Sequence, residues 1–145
     1  MTQTILVVDD EPDVLLLCKV NLEFEGYEVI EAHDGGEALE ILSRGEDVDL
    51  VLLDVMMPGV DGWQVLQQIK ASSSTRDLPV VMLTAKVQQH DQIKGLAEGA
   101  VAYITKPFNP IALSKTLKEA LDARSPDDLE KRRNRMLGKL RALEG

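Results

Sequence analysis

The sequence predicts an open α/β fold, a doubly wound parallel sheet of five strands with five helices, plus a C-terminal helical extension. Three observations carry this. Short β-branched runs alternate with segments of helical period as far as about residue 124. Runs such as Ile5-Leu6-Val7-Val8 and Val80-Val81-Met82-Leu83 are apolar without alternation, as in strands covered on both faces. The segments between them carry helix punctuation. Repeated strand-then-helix units imply a parallel sheet, and right-handed crossovers leave the open doubly wound arrangement as the favoured one.

The elements follow in order. Residues 4–8 form the first strand; Pro12 takes a first helical position and Gly26 closes that helix. Residues 28–32 form the second strand, and Asp34 caps the next helix. Residues 49–53 form the third, with Asp61 as the following cap. Residues 79–84 form the fourth, followed by a helix over 88–98 with a weaker apolar stripe, flanked by Gly99. Residues 101–105 form the fifth, and Asn109-Pro110 starts the last helix of the repeat.

With 145 residues the chain suits one domain with a real core, and 44% hydrophobic content sets it apart from disordered chains. The first residues lack the basic start of a signal peptide, and no apolar run approaches the ~18 residues of a membrane span. The single cysteine, Cys18, reads as a small core residue in a reducing compartment, so a cytoplasmic protein is expected. Net charge is −9, divided as −11 over residues 1–124 and +2 over residues 125–145. The acidic body argues against direct nucleic-acid binding, which needs a basic footprint.

The fold would gather chemistry at one rim, because open sheets bind ligands beyond the carboxyl ends of their strands. Strand one ends in Asp9-Asp10-Glu11, strand three in Asp54, strand four in Thr84-Ala85 and strand five in Thr105-Lys106-Pro107. Close carboxylates repel by ~4 kcal/mol per pair at an effective dielectric near 20, so the cluster calls for a cation. Oxygen-only donors favour Mg²⁺. A hard cation beside a lysine and a hydroxyl is equipment for handling a phosphoryl group, with Asp54 as both ligand and nucleophile.

The strings "LVVDDEPD", "DGGEALEIL", "LLDVMMPGVDG", "VVMLTA" and "AYITKPF" stand in the order and spacing of one family. Over residues 4 to about 124 the chain resembles the receiver domain of bacterial two-component response regulators, a CheY-like (flavodoxin-like) fold. The resemblance implies that Asp54 accepts a phosphoryl group from a histidine kinase or phosphotransfer protein, switches conformation, and so controls an output partner. It implies that Asp10, Asp54 and the Met56 backbone carbonyl hold Mg²⁺, with Asp9 acting through water. Lys106 would pair with phosphoryl oxygens and precede a cis bond to Pro107. Thr84 and Tyr103 would be the switch residues. Such a chain is not an enzyme beyond catalysing its own phosphorylation and dephosphorylation.

Rival readings fit less well. A Mg²⁺-dependent aspartate-nucleophile phosphohydrolase would use a second acid two residues after Asp54, where Met56 stands. A flavin-binding module would need a phosphate loop after strand one, where the acids would repel phosphate. A receiver scaffold without chemistry would not need Asp9, Asp10, Asp54, Thr84 and Lys106 together. His33 and His90 lack metal-ligand spacing, and Trp63 reads as structural.

The expected division is a receiver domain over 1–124 and a basic helical tail over 125–145 without a separate effector domain. The chain reads as a stand-alone regulator or as a fragment of a longer, for example DNA-binding, one. In the tail, Ser125-Pro126-Asp127-Asp128 is a helix start. Leu129, Met136, Leu140 and Leu143 recur as a coiled-coil seam, interrupted by Arg133 and weakened by Gly138. The bland expectation is a frayed basic extension; the sharper one is a helix that continues the fifth one and pairs with a second copy, as a weak, phosphorylation-promoted homodimer, or docks on a partner, with approach of its basic face to an acidic receiver surface as a further alternative.

Overall fold

The computed structural model describes residues 2–57, 59–85, 89–122 and 126–144. Its elements are β1 (Thr4–Val8), α1 (Pro12–Phe24), β2 (Glu28–Ala32), α2 (Gly35–Ser43), β3 (Leu50–Asp54) and α3 (Gly62–Ala71). After these come β4 (Val80–Ala85), α4 (Gln89–Ala97), β5 (Ala102–Lys106), α5 (Pro110–Leu121) and α6 (Pro126–Glu144). The five strands form one parallel sheet in the order β2-β1-β3-β4-β5.

Side chains alternate across this sheet into two cores. Ile5, Val7, Leu50, Leu52, Val81 and Leu83 pack with α1 and α5 on one face. Leu6, Val8, Val51, Leu53, Val80 and Met82 pack with α2 and α3 on the other. Both faces are dry, which explains why the strands read as unbroken apolar runs. Each fully buried aliphatic side chain contributes roughly 1.5–3 kcal/mol, so the sheet centre is a rigid platform for its rim.

The helix signals act as read. Pro12 opens α1, and Gly26 follows its end at φ 95°, a backbone angle that favours glycine. The Asp34 carboxylate accepts from the Glu37 N–H at 2.7 Å. Asp61 and Gln64 form a reciprocal capping box at 3.0 Å in each direction. Asn109 accepts from the Ile111 N–H at 2.8 Å ahead of Pro110. The predicted cap Ser125, the predicted α4 start at Gln88 and the His90 side chain lie outside the described residues.

Two expectations need correction. The strands β3, β4 and β5 each begin and end one residue later than predicted, and at the carboxyl end neighbouring strands keep pairing: the Val55 N–H still donates to the Leu83 carbonyl at 3.1 Å. Asp54 is therefore the last ladder residue of β3 and not the first beyond it. Nor does α6 continue α5. Arg132 Nη1 donates to the Glu119 carbonyl at 2.6 Å, whereas thirteen residues along one straight helix would be roughly 20 Å apart. The chain reverses, and the seam residues Leu129 and Met136 pack against the core beneath α5.

Trp63 packs on the core below α3, and its ring carries Lys94 Nζ at 4.7 Å from the centroid, tying α3 to α4. Cys18 is fully buried, and burial followed by the nearby Asp9 charge pushes its thiol up to about 12, with Lys106 opposing. Thiolate is the reactive form. The folded chain is thus expected to resist iodoacetamide at about pH 8 and to react only when denatured. Rapid alkylation of the native protein would contradict this placement.

Candidate functional site

β1 lies between β2 and β3, so the strand order reverses at its carboxyl end, where open α/β sheets bind ligands. The pairing of Val8 with Leu53 then sets Asp9 beside Asp54. The pairing of Asp54 with Leu83 puts Thr84 one residue beyond on the next strand, and Ala85 opposite Lys106 brings the lysine to the same rim.

Asp9 is wholly buried. Its N–H donates to the Ala32 carbonyl at 3.1 Å, and its Oδ1 accepts from the Glu11 N–H at 2.9 Å. Its Oδ2 lies 2.8 Å from Lys106 Nζ; the contact is an ion pair without the angles of a well-directed hydrogen bond. Asp54 is 4% exposed, with Oδ1 at 3.2 Å from Lys106 Nζ and 3.4 Å from the Met56 N–H. The same ammonium reaches Glu11 Oε1 at 3.5 Å. The Lys106–Pro107 peptide bond is cis.

The charges are not balanced. Burial first, then the Asp9 carboxylate, hold the Asp54 carboxyl up at about 6, against the pull of Lys106 and the Met56 N–H. Burial works against the Lys106 ammonium, but its contacts with Asp9 and Asp54 outweigh this and raise its pKa. One lysine serves two buried acids, and Asp10 adds a third, exposed, carboxylate. Thr84 is buried with its Oγ1 unpartnered among the described residues. An unmet buried hydroxyl costs roughly 1–3 kcal/mol, so this one is poised to accept or donate once a partner arrives.

Carboxylate oxygens of Asp9, Asp10 and Asp54 lie within 4.8 Å of one another. This oxygen-only donor set, with excess negative charge, fits a divalent metal ion.

The sequence placed Asp9, Asp10, Asp54, Thr84 and Lys106 on one rim, and the structure brings them together. Tyr103 sits further back, half-buried near the start of β5 and packed on the α2–α3 side of the core. Met56 is 75% exposed beside the site. Two contributors were missed. Glu11 shares Lys106, which the unbroken Asp-Asp-Glu run could have signalled. Gly62 begins α3 with its N–H on the Val55 carbonyl at 3.1 Å, so close that a Cβ there would collide with the Asp54 carbonyl. The Asp61-Gly62 pair was legible as a cap but not as the wall behind the Asp54 loop.

A parallel sheet in this order with a buried acid pair, a third carboxylate and a bridging lysine at its switch point defines a receiver-type signalling domain. The comparisons agree: the response regulator receiver domain family matches residues 5–118, and the chain belongs to that family. It is similar to the response regulator GtcR of Aneurinibacillus migulanus, 39% identical over 132 residues, covering 88% of this chain and 53% of that protein. Among solved structures, the chemotaxis protein CheY4 of Vibrio cholerae matches with a TM-score of 0.76 at 32% identity, covering 83% of this chain and 99% of that one. The receiver domain of NtrX from Brucella abortus matches with a TM-score of 0.76 at 34% identity, covering 81% and 98%. The chain spans about half the length of the curated relatives it matches. Its acidic cluster is consistent with phosphoaspartate signalling.

Proposed function

We propose that Asp54 accepts a phosphoryl group from the phosphohistidine of a histidine kinase or phosphotransfer protein, and that the change at Asp54 is passed to an output partner. The observation that carries the reading is the Lys106 ammonium lying between Asp9 and Asp54, beside a buried Thr84 hydroxyl that has no partner. An Asp54 carboxylate oxygen would form the new bond to phosphorus as the bond to the histidine nitrogen breaks. Lys106 would stabilise charge on the transferring oxygens, and Thr84 would donate to one of them. Tyr103 would follow Thr84 inward.

Asp9, Asp10, Asp54 and the Met56 carbonyl would hold Mg²⁺. When bound, the ion supplies charge neutralisation for the acids and the incoming phosphoryl group. The phosphohydrolase alternative lacks support, since Met56 offers no proton where that chemistry needs one. Residues 1–124 would form the receiver unit and 125–145 its tail. No described helix is long and apolar enough to cross a membrane, which together with the buried free thiol supports a cytoplasmic setting.

Incubation with acetyl phosphate tests the reading. Intact mass should rise by one phosphoryl group in Mg²⁺ and stay unchanged in excess chelator. Modification that proceeds equally in chelator would refute the metal assignment.

The phosphoryl group should also be long-lived. Hydrolysis needs an oriented water in line with the phosphorus, and the exposed thioether of Met56 offers it no strong hydrogen bond. The other flanking position, Lys86, lies outside the described residues. Met56→Asn is expected to speed dephosphorylation severalfold without disturbing the fold, read as decay of the phosphorylated mass after donor removal. An unchanged or longer lifetime would contradict this account.

A further inference from the structure

The tail helix α6 does not project from the body. It lies across the face built from α4, β5 and α5, with Leu129 and Met136 against the core and Leu140 buried. Arg132 pins it to the Glu119 carbonyl of α5 at 2.6 Å. The seam that sequence periodicity offers to a second chain is used on this chain's own surface, save Leu143, which stays exposed.

The seat is poor by the standards of a protein interior. A solvent-open cavity of about 640 Å³ remains between α6 and this face, walled by Tyr103, Ala120, Leu129 and Met136 and edged by Arg132 and Arg135. The helix therefore leaves part of the face it crosses open to solvent. Docking also brings Arg133 near Lys70, a like-charge approach in a half-buried crevice. Arg133 Nε is buried without a partner, and its nearest acid, Glu130, is 3.6 Å from Nη2 on the same helix. Burial, then the Arg133 charge, push the Lys70 ammonium down to about 8. What holds α6 is a short apolar stripe and the attraction of a +2 segment to a −11 body.

This seat is joined to the acidic site through two strands. Tyr103, in the cavity wall, lies three residues before Lys106 on β5 and pairs with Met82, two residues before Thr84 on β4. Any group at Asp54 that draws Thr84 and Lys106 toward it acts on β5, which lines the seat of α6, and on its neighbour β4. We propose that α6 is an intramolecular cover over the α4–β5–α5 face, and that phosphorylation of Asp54 releases it and uncovers that face. The inference rests on the phosphoryl-acceptor reading above. By linkage, removing the cover must in turn favour the phosphorylated state.

Hydrogen–deuterium exchange on the full chain tests this, with beryllofluoride and Mg²⁺ as the phosphoryl mimic and acetyl-phosphate labelling run in parallel. Amides of α6 should exchange at least tenfold faster with the mimic, while β1 and β3 stay protected. Leu140→Asp should produce the same loosening without the mimic. Arg133→Leu, which removes the buried, unpartnered Nε and the approach to Lys70, should slow α6 exchange at least threefold. If the chain takes up phosphate but α6 exchange is the same with and without the mimic, the cover is overturned and the acceptor reading stands. Unchanged exchange in Arg133→Leu would overturn the imperfect seat on which the proposal depends. If no phosphoryl group is taken up, the acceptor reading falls and the cover with it.

Discussion

Asp54→Asn is expected to abolish phosphoryl acceptance and, in chelator, to make the protein more stable. The first effect follows from removing the nucleophilic oxygen charge. The second follows from the carboxyl being held at about 6, above the ordinary 3.8. The folded state then binds this proton more tightly than the unfolded chain, so stability falls as pH rises from about 4 to about 6. Above that window the ionised Asp54 costs the fold up to roughly 3 kcal/mol, at about 1.36 kcal/mol per pKa unit. Asparagine removes this cost, keeps an acceptor for the Met56 N–H and leaves Lys106 to Asp9. With ~2–4 °C per kcal/mol for a chain near this size, melting should rise by up to roughly 6–12 °C at neutral pH and far less at pH 4. Circular-dichroism melts in chelator at both pH values check it. A variant that loses stability at neutral pH would show that Asp54 is not a strained group.

Lys106→Met is expected to have the opposite effect on stability. It leaves Asp9 and Asp54 buried side by side with no cation between them. Breaking a buried ion pair by deleting one partner typically costs ~3–5 kcal/mol. Protonation caps the penalty, because without Lys106 the Asp54 carboxyl rises further and takes up a proton more readily. The sign is the same as before: stability is retained at low pH and lost as pH rises through the raised value. Lys106→Met should therefore be destabilised by roughly 3 kcal/mol at neutral pH and should recover most of that near pH 5. Adding Asp54→Asn should restore most of the loss, since only one acid then needs a partner. A deficit that is independent of pH, or additive in the double variant, would place Lys106 outside the acid pair.

Much of this was legible in the sequence because the signals were local. Unbroken apolar runs marked strands dry on both faces, and Asp34, Asp61 and Asn109-Pro110 named their own helix starts. The rim was legible because every strand of a parallel sheet ends on the same side, which puts Asp9, Asp54, Thr84 and Lys106 on one edge whatever the strand order. What spacing could not give was the sharing. Lys106 reaches Asp9 across β4 and β3, and only the order β2-β1-β3-β4-β5 brings that ammonium within 2.8 Å. The one-residue shift of β3 likewise depends on Leu83 of its neighbour. The tail marks the sharper limit. A seam at Leu129, Met136 and Leu140 shows that a helix has an apolar face, but a partner chain and the chain's own α4–β5–α5 surface satisfy it equally. The seating of α6 against α5, with Arg132 on the Glu119 carbonyl, decides for the latter.

The central claim is that Asp54 is the residue that receives the phosphoryl group. An acyl phosphate can be reduced in place with borohydride, which converts the modified aspartate to homoserine and records its position. After treatment with acetyl phosphate and Mg²⁺, peptide mapping should find homoserine at position 54 alone, and none after the same treatment in chelator. Homoserine at position 9 or 10, or an unreduced Asp54 in a chain that has gained phosphoryl mass, would contradict the account.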